Sequence, residues 1–223
     1  MISSLQDMWL ECNMNLGMQE NVAAKWWNVI REKYSEEHRA YHTLAHLEEM
    51  FRNMEQCRIA LHEPELVSLT VFFHDVIYEP KARDNEEKSA ELFDNFAAED
   101  LQSKFPDGCL KVKEWILATK THRTEVHMTP DLYRNDDLHY FLDLDMAVLG
   151  RDPKDYQEYA SQIRQEYHHL PESEFCTGRA EVLKKFVAVP NIYATKFFRD
   201  KLEQRARENI SMEIKRLEQS TKR

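Results

Sequence analysis

Two histidines four residues apart, His42 and His46 in "YHTLAHLEEM" (41–50), precede an adjacent His74-Asp75 pair that closes the apolar run in "VFFHDVIY" (71–78). Further on, "FLDLDMAVLG" (141–150) sets Asp143 and Asp145 into an otherwise apolar segment. Imidazole nitrogens combined with carboxylates suit Mn²⁺, Fe²⁺, Co²⁺, Ni²⁺ or Zn²⁺ better than the all-oxygen shell of Ca²⁺. On a helix, residues i and i+4 share a face, so His42 and His46 are expected to project together. His74 and Asp75 point about 100° apart within a helix and can converge on one ion only where the helix ends. An aspartate beside Val71, Phe72 and Phe73 is costly to bury unpaired. Coordination is one compensation, and a hydrogen-bonded helix terminus is another. Of Asp143 and Asp145, one is expected to reach the same ion, while Asp143 can face solvent on the far side.

Four protein ligands leave room for water on a five- or six-coordinate cation. Such water ionises near neutral pH and can attack phosphorus in line, while the ion neutralises a phosphoryl oxygen. His42 is the candidate proton donor to the leaving oxygen, because imidazole exchanges protons at physiological pH. Glu87 is a second candidate, to orient water or protonate the leaving group; a carboxylate at a helix N-terminus is its competing role. Arg39, three residues before His42, can approach the same space. His122 in "ATKTH", Arg164 in "QIRQEY" and Arg179 in "TGRAEV" are further candidates to hold phosphate, with salt bridges to nearby glutamates as the competing role of the arginines. His62, His127, His139, His168 and His169 are assigned to the surface.

Helices must position these groups. Apolar residues recur at helical spacing near 3–15, 20–33 and 43–57. Glu63-Pro64 opens another helix, apolar nearly all round and therefore central. Later segments read as helices over about 86–98, capped by Asp84 or Asn85, then 108–120 and 136–149, the last ended by Gly150. A helix starting at Asp152-Pro153 follows, then two more over about 172–187 and 195–218. The fold class is all-α. A single domain spans 1–223, with the metal-site core at about 38–150 and extra helices at the termini.

Composition agrees. Only 4 glycines and 7 prolines occur, while 42% of residues are hydrophobic, a mixture unsuited to hairpin-rich folds. Acidic residues outnumber basic ones, 40 to 30, for a net charge of −10. That charge argues against nucleic acid as a partner. The basic residues near the C-terminus alternate with glutamates, as on a solvated helix face. No apolar run approaches the roughly 20 residues of a membrane span. Cys12, Cys57, Cys109 and Cys176 form no C-x-x-C pair, which points to free thiols in a reducing, cytoplasmic or also nuclear, setting.

The ordered set H…HD…D resembles the HD-domain superfamily of metal-dependent phosphohydrolases over roughly 38–150. More closely, "YHTLAHLEEM", "FFHDVIYEP", "NEEKSAELF", "ATKTH", "LDLDMAVLG" and "IRQEY" resemble a small family of predicted phosphohydrolases of that superfamily, across most of the chain. The resemblance implies an HD-type helical bundle. It also implies a divalent cofactor, Mn²⁺ foremost with Mg²⁺ among the other candidates, on His46, His74, Asp75 and Asp145. "YHTLAH" is similar to the Y-H-N-x-x-H segment of cyclic-nucleotide phosphodiesterases, which implies His42 as the acid. Thr43 stands where those enzymes have Asn, so cyclic nucleotides are not the expected substrates. The expected substrate is a small phosphate ester or phosphoanhydride, such as a nucleotide or a pyrophosphate-like compound. Two other activities fit parts of the pattern. One is a silent metal-holding binding module; the other is a di-iron oxygenase drawing extra ligands from His122 and His127.

Overall fold

The computed structural model describes residues 4–221, and among them the chain is all-α with no strand. Where one domain is expected over 1–223, the chain divides into two compact units, Met1–His122 and Arg123–Arg223.

In the first unit, α1 (Leu5–Asn15), α2 (Glu20–Lys33), α3 (Leu44–Cys57), α4 (Pro64–Phe73), α5 (Asn85–Glu99) and α6 (Pro106–Ala118) surround one core. The expected central helix is α4: every residue from Leu66 to Phe73 is buried, and it packs against α1, α3, α5 and α6. Pro64 at its first turn removes an N–H that would find no helical partner. Phe72 meets Trp9 edge-on at 5.1 Å and Phe51 at 4.8 Å, while Phe73 meets Phe93 at 5.3 Å and Phe96 at 5.1 Å. Burying each such ring contributes about 1.5–3 kcal/mol, so the end of α4 that carries His74 is firmly seated. The Trp9 indole also donates to Ala23 O at 2.8 Å, fixing α1 to α2.

The second unit comprises α7 (Glu125–Met128), α8 (Asp137–Met146), α9 (Pro153–Glu166), α10 (Glu172–Ala188) and α11 (Lys196–Ser220). A 3₁₀ turn, Ala147–Gly150, extends α8 and lies against α9 and α11. Gly150, expected to end this helix, closes the 3₁₀ turn instead of capping α8 itself, and Gly17 is the glycine with positive φ. A Cβ at Gly150 would lie 2.6 Å from the Leu202 Cβ, so the residue serves close approach of α11.

Asp84 occupies the N-cap of α5 without a side-chain cap bond. Asn85 instead closes the preceding loop, accepting from Glu79 N and donating to Glu79 O, both at 3.0 Å. His127 and His139 are buried rather than exposed. Thr124 accounts for this: its Oγ1 lies 3.0 Å from His127 Nδ1 and 3.0 Å from His139 Nε2, and His139 Nδ1 bonds Asp136 at 2.6 Å. His62 and His168 are exposed and His169 is half-buried.

Candidate metal centre

The last turn of α4 explains how two adjacent residues come to face one point. His74 still donates its backbone N–H to Thr70 O at 2.9 Å in the helical pattern, and Val76 N reaches Phe73 O at 3.3 Å in a tighter turn. The chain then leaves the helix. Ser89 of α5 holds it, accepting from Ile77 N at 3.1 Å and donating to Ile77 O at 3.3 Å. Asp75 therefore swings back toward His74 instead of pointing a third of a turn away.

His74 is 1% exposed and His46, in the first turn of α3, is 2% exposed. His74 Nδ1 lies 2.9 Å from Val71 O. A carbonyl only accepts, so Nδ1 carries the proton, and Nε2 of the neutral ring presents its lone pair to the other side. On that side Asp75 Oδ2 stands 3.1 Å away and His46 Nε2 3.3 Å away. Donors bound to one ion at about 2.1 Å lie about 3.0 Å apart at a right angle and about 3.4 Å apart at the tetrahedral angle. His46, His74 and Asp75 thus form a His/Asp cluster that can hold a metal ion, with ligand atoms within 4.8 Å of one another. Anchoring the remote imidazole nitrogen to a backbone carbonyl is how metal-binding histidines are commonly oriented.

His42 does not share a helix face with His46. Thr43 is the N-cap of α3, and His42 lies just outside the helix. Its ring stacks on Tyr78 with centroids 4.1 Å apart and packs edge-on against Tyr41 at 4.9 Å. This packing brings His42 Nε2 to 3.9 Å from Asp75 Oδ2. His42 and Asp75 side chains each retain 19% exposure, so this edge of the cluster is open.

Arg39 does approach the same space as His42, but its side chain is wholly buried and its donors go to Glu36 and to main-chain carbonyls, those of His42 and Asp75 among them. Arg164 donates to Glu172 at 2.9 Å and to the carbonyls of Tyr167 and Leu170. Arg179 donates to Glu213 at 3.0 Å and to the Tyr159 hydroxyl at 3.2 Å. Both arginines hold helices of the second unit together. Glu87 pairs with Lys120, and that hydrogen bond holds its carboxyl below the usual range. A depressed pKa is the opposite of what a proton donor needs. His122 is the last residue of the first unit, half-buried and in the left-handed region with φ +50°, where it ends the turn after α6. His127, a possible iron ligand by sequence, has Nδ1 accepting from Thr124 N at 3.1 Å.

Asp143 and Asp145 lie at the end of α8 in the second unit. Asp143 is 1% exposed, not turned to solvent. Its Oδ1 accepts from Ala194 N at 2.8 Å, and Oδ2 accepts from Thr195 N at 2.8 Å and Thr195 Oγ1 at 2.6 Å. Burial pushes its carboxyl up to about 7 against the pull of these three donors. Asp145 is half-buried. Asp143 is thus committed to the start of α11, which leaves Asp145 as the candidate ligand of the two.

A cavity of about 500 Å³ in the first unit is lined by Met8, Cys12, Phe51, Arg52 and Glu65 among others, and by none of the candidate ligands. No protein-family model matches the chain, and no significant match occurs among curated proteins or solved structures.

Proposed function

We propose that the protein is a metal-dependent phosphohydrolase in which His46, His74 and Asp75 hold one divalent cation, Mn²⁺ foremost, with Asp145 as the further ligand that the H…HD…D pattern implies. One observation carries the reading: with Nδ1 of His74 committed to Val71 O, its Nε2 lone pair faces a carboxylate oxygen and a second imidazole nitrogen. A divalent cation among these three atoms satisfies all of them at once, where in its absence a proton on an imidazole Nε2 must bridge each contact. The mixed nitrogen and oxygen donors favour a transition metal over Ca²⁺. When bound, such an ion lowers the pKa of water and offsets charge on a phosphoryl oxygen.

The protein's own side chains supply the rest. Asp75, at the open edge, fixes where a phosphoryl group can approach the buried histidines. His42, stacked on Tyr78 and 3.9 Å from Asp75 Oδ2, is the proposed donor of a proton to the leaving oxygen. The substrate class is a small phosphate ester or phosphoanhydride, with nucleotides and pyrophosphate-like compounds foremost.

The test is phosphate release from nucleotides, sugar phosphates and pyrophosphate, with Mn²⁺, Mg²⁺, Co²⁺ and Ni²⁺ supplied separately. Release with at least one pair is expected. Folded, metal-loaded protein that is inert toward every pair would sink the hydrolase and leave a metal-holding binding module. On a responding substrate, His42→Ala is expected to lower kcat by about 10²- to 10⁴-fold while metal content, measured by mass spectrometry, stays unchanged. Loss of the metal together with the activity would remove His42 from its acid role.

A further inference from the structure

We infer that Arg39 is a positioning residue that ends α4 at His74 and so makes the adjacent His74 and Asp75 able to serve a single ion; this rests on the metal reading above. All five N–H donors of its guanidinium are engaged. Nε and Nη2 each reach Glu36 Oε2 at 3.3 Å. Nη1 donates to His42 O at 3.0 Å and to Asp75 O at 2.8 Å, and Nη2 also donates to Val76 O at 3.0 Å. The group is packed between Tyr34 at 5.0 Å and Tyr78 at 5.5 Å.

These contacts answer a specific structural need. Carbonyls at the C-terminal end of a helix have no helical partner, and a buried one without a bond is costly. If the helix ran on, Asp75 would project about 100° from His74. Arg39 takes up the carbonyls of Asp75 and Val76, so the chain can turn at His74 without orphaned acceptors. Its positive charge also lies at the end of α4 where the helix dipole favours a cation. The neighbouring His38 takes the next carbonyl but one, Nε2 lying 2.6 Å from Tyr78 O. The segment "EEHRAYH" is thereby sewn to "HDVIYE". Because one nitrogen, Nη1, serves both His42 O and Asp75 O, it also sets the spacing of the acid candidate from the ligand carboxylate. A lysine ammonium is a point charge without the planar fork that reaches three carbonyls and a carboxylate.

The experiment compares Arg39→Lys and Arg39→Ala with the unaltered protein by Co²⁺ titration, reading affinity and the visible absorption bands that report ligand geometry. Circular dichroism checks the fold. Both variants are expected to bind Co²⁺ about 10- to 100-fold more weakly with altered bands, and added guanidinium is expected to restore R39A but not R39K. Wild-type affinity and bands in either folded variant would overturn the inference. Should R39A fail to fold, R39K, which keeps charge and bulk, carries the comparison. If the unaltered protein binds no Co²⁺, the metal reading itself falls, and the ring resonances of His42 and His74 decide the latch separately. Shifted resonances in R39K support it, and unchanged ones overturn it.

Discussion

His74→Ala is expected to abolish divalent-metal binding and phosphate release together while leaving a folded protein. The change removes the donor that faces both other members of the cluster, at 3.1 and 3.3 Å. Losing a group that merely orients a metal ligand costs 10- to 100-fold in affinity, so losing a ligand with two such neighbours should exceed about 100-fold. The change also has a structural cost. The imidazole is 1% exposed, so its removal leaves a void and frees the Val71 carbonyl, which destabilises by about 1–3 kcal/mol. Two measurements separate these effects. Calorimetric titration with Mn²⁺ should give no measurable heat for His74→Ala, and its midpoint of thermal unfolding should no longer rise on adding Mn²⁺. The unaltered protein should gain stability with metal by mass action. An unchanged Mn²⁺ affinity in the variant would show that the ion, if any, sits elsewhere.

His74 can be singled out from sequence because its setting is chemically improbable: an imidazole and a carboxylate side by side after a run of buried apolar residues. The same logic made α4 legible, since only a central helix is apolar on all sides. Bounds of the longer helices follow from periodicity, prolines and charge. What escaped depends on contacts between segments distant along the chain. Nothing in "EEHRAYH" announces that Arg39 will meet the carbonyls of Asp75 and Val76, so its charge read as a substrate contact. For Arg164 and Arg179 the sequence left two roles open, and the bonds to Glu172 and Glu213 match the salt bridges named as the competing one. The single turn α7 is too short for any periodicity. His127 and His139 are buried because Thr124 and Asp136 lie beside them, a relation that composition cannot convey.

Asp143 and Asp145 pose the sharpest case, since two aspartates two apart on a helix point to nearly opposite sides and the pattern alone cannot say which side is which. Asp143→Asn is expected to destabilise the fold by about 3 kcal/mol and to leave the metal ligands intact. The reason lies in its three donors. Both carboxylate oxygens accept, from Ala194 N and from Thr195 N and Oγ1. An amide must turn its NH₂ toward one of the two backbone N–H groups in either orientation, leaving a buried donor facing a donor, which costs about 1–3 kcal/mol. Thr195 is also the N-cap of α11, its hydroxyl accepting from Phe198 N. A carboxylate there opposes the positive end of a 25-residue helix, and losing it costs about 0.3–2 kcal/mol more. Chemical denaturation above pH 8, where the Asp143 carboxyl is ionised despite its upward shift to about 7, measures the difference. Asp145→Asn provides the contrast: a smaller loss of stability with Mn²⁺ affinity reduced at least about tenfold. Were the two variants to exchange outcomes, Asp143 would be the ligand and its bonds to α11 a resting arrangement that the cation displaces.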